Sequence, residues 1–203
     1  MHGGSARSGA SPPVAMMSES GAGPETHKLR PPSNVVPGIL PLGRILGRSE
    51  QVVVTINALF VYLTGVEIDL CVLCHPSIAV GPDSVFGGAA EDLRSGRMLV
   101  LDVELPGGVH ARTSDGYDTC AEAVALPRAA SGDGSRYDLR YWVSPLPTDG
   151  AITIGCEWPA FAVSGHIAVD VAALRSSVPL ADALWEDSSS GQGGSRLGLF
   201  GLD

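Results

Sequence analysis

The stretch from Tyr137 to Trp158 constrains the fold more than any other part of the chain. Tyr137, Leu139, Tyr141 and Val143 alternate with Asp138, Arg140, Trp142 and Ser144. After Pro145-Leu-Pro-Thr-Asp-Gly150, Ile152, Ile154, Cys156 and Trp158 alternate with Thr153, Gly155 and Glu157. Successive side chains on a strand point to opposite faces, so each run is a strand with one apolar and one polar side. A turn centred on the intervening loop predicts a hairpin in which Val143 meets Ile152, Tyr141 meets Ile154, Leu139 meets Cys156 and Tyr137 meets Trp158. All the apolar side chains then share one face, which specifies a half-buried antiparallel sheet.

Similar alternation runs through the rest of the chain. Val52, Val54 and Ile56 form one inward row. Leu99, Leu101, Val103 and Leu105 form another, opposed by Val100, Asp102 and Glu104. Thr64-Gly65 reads as a two-residue turn that sets Leu63 against Val66, Val61 against Ile68 and Leu59 against Leu70. The apolar phase slips from even to odd numbers between Ile56 and Leu59, which predicts a bulge near Asn57-Ala58. Pro106-Gly107-Gly108 turns the chain into Val109 to Thr113, and a last strand lies near His166 to Val169. Asp170 is placed to cap a short helix over Val171 to Ser177, with Pro179 ending it.

About seven or eight short strands, each with one apolar face, are best satisfied by an all-β fold of two packed sheets. The expected architecture is a single antiparallel β-sandwich, immunoglobulin-like or jelly-roll-like, with a short C-terminal helix. A closed β-barrel is the alternative. The sandwich is expected over residues 38–187. Residues 1–37, rich in Gly, Ser, Ala and Pro, read as a disordered N-terminal arm, and 188–203 as a flexible tail. Met16 and Met17 inside the arm raise the expectation that translation starts downstream of Met1.

Charge narrows the partners. The 203-residue chain carries 22 acidic against 13 basic residues, a net charge of -9. Nucleic-acid binders need basic stripes that displace counterions, so no nucleic-acid partner is expected. No apolar run approaches the ~20 residues of a membrane span, and the N-terminus lacks a secretory apolar core. These features predict a cytoplasmic protein, without membrane contact, whose 4 cysteines are reduced thiols.

Cys71-Val-Leu-Cys74-His75 spells a covalent haem-attachment pattern. On a strand, however, residues three apart point to opposite faces. Cys74 continues the inward row of Ile68, Leu70 and Val72, which leaves Cys71 as a surface thiol. Zinc at this pair lacks a second ligand pair. Cys120 has no histidine at a telling spacing, and there is no nucleophile elbow, phosphate loop or dinucleotide fingerprint. No cofactor is expected.

The polar side of the 137–158 ribbon supplies the first candidate site. In the hairpin register Arg140 and Glu157 are diagonal neighbours, and Asp138 stands opposite Glu157. The three form either an acid/base pair with an arginine or a charge triad. Trp142 shares that side, beside Thr153 and Gly155, where an aromatic either packs over a strand glycine or, if exposed, anchors a protein partner. His75, His110 and His166 also take outward strand positions, so an enzyme would draw on Asp138, Glu157, His110 or His166. The connections 76–97, 114–136 and 159–163 fall at one pole of an antiparallel sandwich, opposite the tight turns 64–65, 106–108 and 145–150. Long loops on a rigid scaffold often bind. Within them Asp115-Gly-Tyr-Asp118 offers hard oxygens suited to calcium or a sugar.

Arg140-Tyr-Trp-Val-Ser-Pro-Leu-Pro147 and Cys156-Glu-Trp-Pro-Ala-Phe161 resemble a family of uncharacterised actinobacterial proteins. Pro41 to Ser49 and Val171 to Trp185 fit the same resemblance, which covers roughly residues 38–187. The family resembled has a cysteine-free strand where this chain has Cys71 to His75, and continues its last helix where this chain has Pro179. The family has no assigned activity, so the resemblance implies a lineage and nothing about catalysis. Taken together, the expected function is a non-enzymatic interaction module. A calcium- or carbohydrate-binding module at the acidic loops, and a metal- or carboxylate-dependent enzyme on the same scaffold, are the alternatives.

Overall fold

A computed structural model describes residues 29–86, 95–114, 122–178 and 182–183. The strands in chain order are β1 (Val35–Val36), β2 (Gly38–Arg48), β3 (Val52–Val61), β4 (Val66–Cys74), β5 (Val100–Leu105), β6 (Val109–Arg112), β7 (Val124–Gly132), β8 (Arg136–Ser144), β9 (Ala151–Trp158), β10 (Val163–Asp170) and β11 (Asp182–Ala183). Two short helices, α1 (Pro82–Phe86) and α2 (Val171–Ser177), complete the described secondary structure apart from a single 3₁₀ turn over Pro159–Phe161. A five-stranded antiparallel sheet, in the order β2-β3-β4-β8-β7, faces a four-stranded one ordered β10-β9-β5-β6. The fold is therefore an all-β sandwich, and the sheets do not close into a barrel. No helix among the described residues is long and apolar enough to cross a membrane.

One continuous core fills the space between the sheets. Val54, Ile56, Leu59, Ile68, Leu70, Tyr137, Leu139 and Tyr141 come from the five-stranded side. They meet Leu101, Val103, Ile152, Ile154, Cys156, Trp158, Ile167 and Val169 from the other. Trp158 is fully buried, yet its indole N–H donates to the Arg97 carbonyl at 2.8 Å, so its polar handle is satisfied. The ring also meets Phe161 edge-on at 4.6 Å between centroids.

Residues 137–158 do not form a hairpin. β8 pairs with β4 and β7, whereas β9 pairs with β5 and β10. The chain crosses from one sheet to the other between Ser144 and Ala151, beginning at the cis Ser144-Pro145 bond. Both apolar rows still point inward, because they face each other across the core instead of lying side by side in one ladder. Alternation specifies which way a side chain points, and either arrangement satisfies it.

The β3–β4 hairpin also differs from the expected register. Val61 pairs with Val66 and Leu59 with Ile68, while Tyr62 N–H donates to the Gly65 carbonyl at 2.9 Å. The two-residue turn therefore lies one residue earlier than expected, at Leu63-Thr64, and Leu63 is 77% exposed. Gly65 is required by packing: a Cβ there would lie 2.4 Å from the Val143 carbonyl oxygen and 2.6 Å from the Trp142 ring. The bulge predicted near Asn57 is present, since the β3–β4 register shifts between Ile56 and Ala58.

Two strands lie where the sequence reads as irregular. β2 runs through the proline-rich lead-in, with Pro41 tolerated on an edge strand that carries two register shifts. β7 falls inside the expected long loop 114–136. It carries Pro127 and a bulge, and its last residues, 127–132, are all exposed. An edge strand with little apolar alternation gives no periodic signal. Val124 pairs with Ser144, so β7 begins at the end of the sandwich that carries the 145–150 crossing, not at the pole assigned to that loop.

The C-terminal helix matches its expected bounds. Asp170 is its N-cap, and the carboxylate accepts the Ala172 backbone N–H at 2.8 Å. β1, within the stretch expected to be a disordered arm, pairs antiparallel with β11. Cys74 is buried as expected, but Cys71 is buried as well instead of being a surface thiol.

Candidate functional site

The outer face of the four-stranded sheet is polar and open. Alternation points Asp102 and Glu104 of β5, Thr153, Gly155 and Glu157 of β9, and Ser164 and His166 of β10 away from the core, and β6 adds His110 and Arg112. The ladders align these residues in rows. His166 pairs with Gly155, Gly155 with Asp102, and Asp102 with Arg112. The next row runs Ala168, Thr153, Glu104, His110, and the row on the other side runs Ser164, Glu157, Val100.

Gly155 at the centre contributes no side chain, and the surface dips there. The resulting concavity has a volume of about 300 Å³ and is lined by Asp102, Glu104, His110, Glu157 and His166 with the small residues between them. A Cβ at Gly155 would meet nothing closer than 3.5 Å, an ordinary contact. Packing therefore does not demand glycine at this position, in contrast to Gly65.

Ion pairs organise one wall. The Arg112 guanidinium donates to the Glu157 carboxylate at 3.0 Å and stands 3.7 Å from Asp102. His110 Nδ1 lies 3.6 Å from the other Asp102 oxygen, beyond hydrogen-bond reach. Asp102 Oδ1 and Arg112 Nε are shielded from solvent and have no hydrogen-bond partner. Beneath the floor, Cys156 points into the core, and burial pushes its thiol up to about 12, with the Glu157 charge adding to the shift. A thiol so disposed is no nucleophile for this face. Among the described residues, no three His, Cys, Asp or Glu side chains stand close enough together to hold a metal ion.

The structure separates the residues that the hairpin register brings together. Glu157 lines this concavity, and so do His110 and His166. Arg140 and Asp138 belong to β8, on the outer face of the opposite sheet. There Arg140 lies 3.8 Å from Glu67 and 3.6 Å from Asp69, with its guanidinium 4.7 Å from the Phe60 ring centroid. Asp138 is held by Arg136 at 2.8 Å, and the hydrogen bond from that guanidinium keeps its carboxyl below the usual range. Trp142, expected on the polar sheet face as a packing residue or a partner anchor, is fully buried in an apolar cluster with Tyr62, Val124 and Leu126, flanked by Leu29, Val35 and Phe60. His75 sits apart in a turn, its Nδ1 2.7 Å from Ser77 Oγ. Asp115 and Asp118 lie outside the described residues.

Asp102, Glu104, Arg112, Ser164 and the Gly155 floor were not singled out by their sequence context. Alternation does turn Asp102 and Glu104 outward. What brings them beside Glu157 and His166 is the pairing of β5 and β10 with β9, which no local pattern encodes. Comparison with protein-family models, with curated proteins and with solved structures yields no match, so the geometry of this face carries the functional argument.

Proposed function

We propose that this chain is a non-enzymatic binding module whose recognition surface is the outer face of the four-stranded sheet, centred on the gap above Gly155. The gap itself carries the reading. Glycine within a strand costs roughly 0.5–1 kcal/mol relative to alanine, and here a side chain would fit without strain. A residue that weakens the strand with no steric need for it keeps a slot open. His166 and Asp102 flank the slot, with Glu157 and Thr153 at its ends. These groups present carboxylate oxygens, an imidazole and a hydroxyl, a set suited to a polar ligand rich in hydrogen-bond donors. Binding is favoured over catalysis because His110 and Asp102 are too far apart to share a proton directly, and no activated nucleophile faces the slot.

The test is a thermal-shift screen of amines, amino acids and sugars against the wild type and Gly155→Thr. Threonine suits a strand and fills the slot while leaving every charge in place. A compound that raises the wild-type melting temperature and leaves the variant unmoved supports the reading. A panel that moves neither protein, or moves both alike, defeats it.

A further inference from the structure

We infer that the outer face of the five-stranded sheet carries a second binding site, in which Arg140 and Asp69 receive the carboxylate and the ammonium of a zwitterionic α-amino acid. A concavity of about 380 Å³ opens on this face, lined by Asp69, Arg136, Asp138, Arg140 and Asn57 together with small residues of β7. Its cause lies in the pairing of β7 with β8. Ala129 stands beside Arg140 and Ser131 beside Asp138, so the neighbouring strand adds little side chain and the surface drops. The Gly155 slot is on the other sheet, so the two concavities are separate.

The charges in this concavity are not equivalent. Arg136 and Asp138 are committed to each other: Nε donates to both Asp138 oxygens at 3.2 Å, and Nη2 donates to Oδ1 at 2.8 Å. Arg140 and Asp69 pair across β8 and β4 without such a bond. Arg140 Nε lies 3.6 Å from Asp69 Oδ1, and Nη1 lies 3.8 Å from Glu67, both beyond hydrogen-bond distance. Arg140 is held nonetheless. Its guanidinium lies 4.7 Å from the Phe60 ring centroid, a contact that uses the flat face of the group and leaves its N–H edge unspent. Asp69 is held as well, because its Oδ2 accepts from Asn57 Nδ2 at 3.3 Å and Asn57 Oδ1 accepts from the Thr55 hydroxyl at 3.3 Å. A positioned donor fork beside a positioned carboxylate, not bonded to each other, suits a ligand that carries both opposite charges.

Charge decides the ligand class. The two guanidiniums in the concavity balance its two carboxylates, and the chain as a whole carries -9. A simple anion is therefore repelled at long range, and a simple cation meets Arg140 beside Asp69. An α-amino acid adds no net charge and answers both groups at once.

Amide NMR titration of the full chain with L-alanine, propionate and ethylammonium at fixed ionic strength tests this. Propionate lacks the ammonium and ethylammonium the carboxylate. L-Alanine is expected to shift the Asn57, Asp69 and Arg140 amide signals saturably, with a Kd on the order of millimolar, and each half-ligand to bind at least ~10-fold more weakly. Arg140→Lys keeps the charge beside Glu67 but loses the planar fork, and is expected to weaken L-alanine at least ~5-fold. Asp69→Asn keeps an oxygen for Asn57 and is expected to reduce L-alanine to the affinity of propionate. Absence of a saturable shift at these three amides overturns the inference, and so does saturation confined to amides around Gly155. Propionate that binds the wild type as tightly as L-alanine overturns the zwitterion assignment. An Arg140→Lys variant with native amide dispersion and undiminished affinity overturns the role of Arg140.

Discussion

The two outer faces of the sandwich differ in how much of each the chain itself covers. On the five-stranded side, chain from the N-terminal segment lies over the sheet. Leu29 and Val35 pack on Trp142, Tyr62, Val124 and Leu126, and Glu67 is buried beside them. The rest of that face is uncovered: charge pairs, with Arg140 between Glu67 and Asp69 and Arg136 on Asp138, border a second concavity of about 380 Å³. On the four-stranded side no such cover is present among the described residues, and the polar groups surround the gap at Gly155. The part of a sheet face that its own chain covers serves stability. A face with an unfilled position at its centre is available for recognition.

Removing the tryptophan should break this contrast most severely. Trp142→Ala is expected to cost about 3–5 kcal/mol in urea unfolding, the range for emptying a buried aromatic site, although parity alone makes Trp142 a surface residue. His166→Ala on the open face should change stability by no more than about 0.5 kcal/mol. Equal losses would erase the distinction between the faces.

Glu67 sharpens the covered side through pH. Burial raises its carboxyl above the ordinary value of 4.5, with the Arg140 and Arg128 charges pulling it back. A raised folded-state value means that the folded protein holds this proton more tightly than the unfolded chain. The resulting stability is full below the unfolded value and is lost as pH rises through the folded one. Glu67→Gln should therefore gain on the wild type as pH rises from about 4 into the neutral range, then hold a constant lead. Parallel stability–pH curves for the two proteins would show that Glu67 is solvated.

Smaller effects belong to the open side. Gly155→Ala should stabilise the protein by about 0.5–1 kcal/mol, the rare substitution that strengthens a sheet centre. A loss of stability would mean that packing needs this glycine after all. Arg112 and Glu157, at 38% and 59% side-chain exposure, should show a coupling of only ~0.2–1 kcal/mol in a double-mutant cycle, shrinking with added salt.

Much of the local structure is legible in the chain. The inward parity of Tyr137, Leu139, Tyr141 and Val143, the bulge at Asn57 and the Asp170 cap all follow from short-range rules and all occur. The candidate site was legible only in part. Glu157, His110 and His166 could be assigned to outward positions, but Arg140 and Asp138 were joined to Glu157 by a register that does not exist. β7 is not legible in the chain, because Pro127 and a run of small residues carry no period.

What the sequence settles alone is direction. Alternation tells each side chain whether it points to the core, because that depends on a backbone geometry repeating every two residues. Tertiary structure decides adjacency: which strand lies beside which, which outer face the chain covers, and hence that Trp142 is buried while Gly155 is open. Those outcomes depend on contacts between residues far apart along the chain, where a row of apolar side chains is satisfied equally by a neighbour in its own sheet or by one across the core.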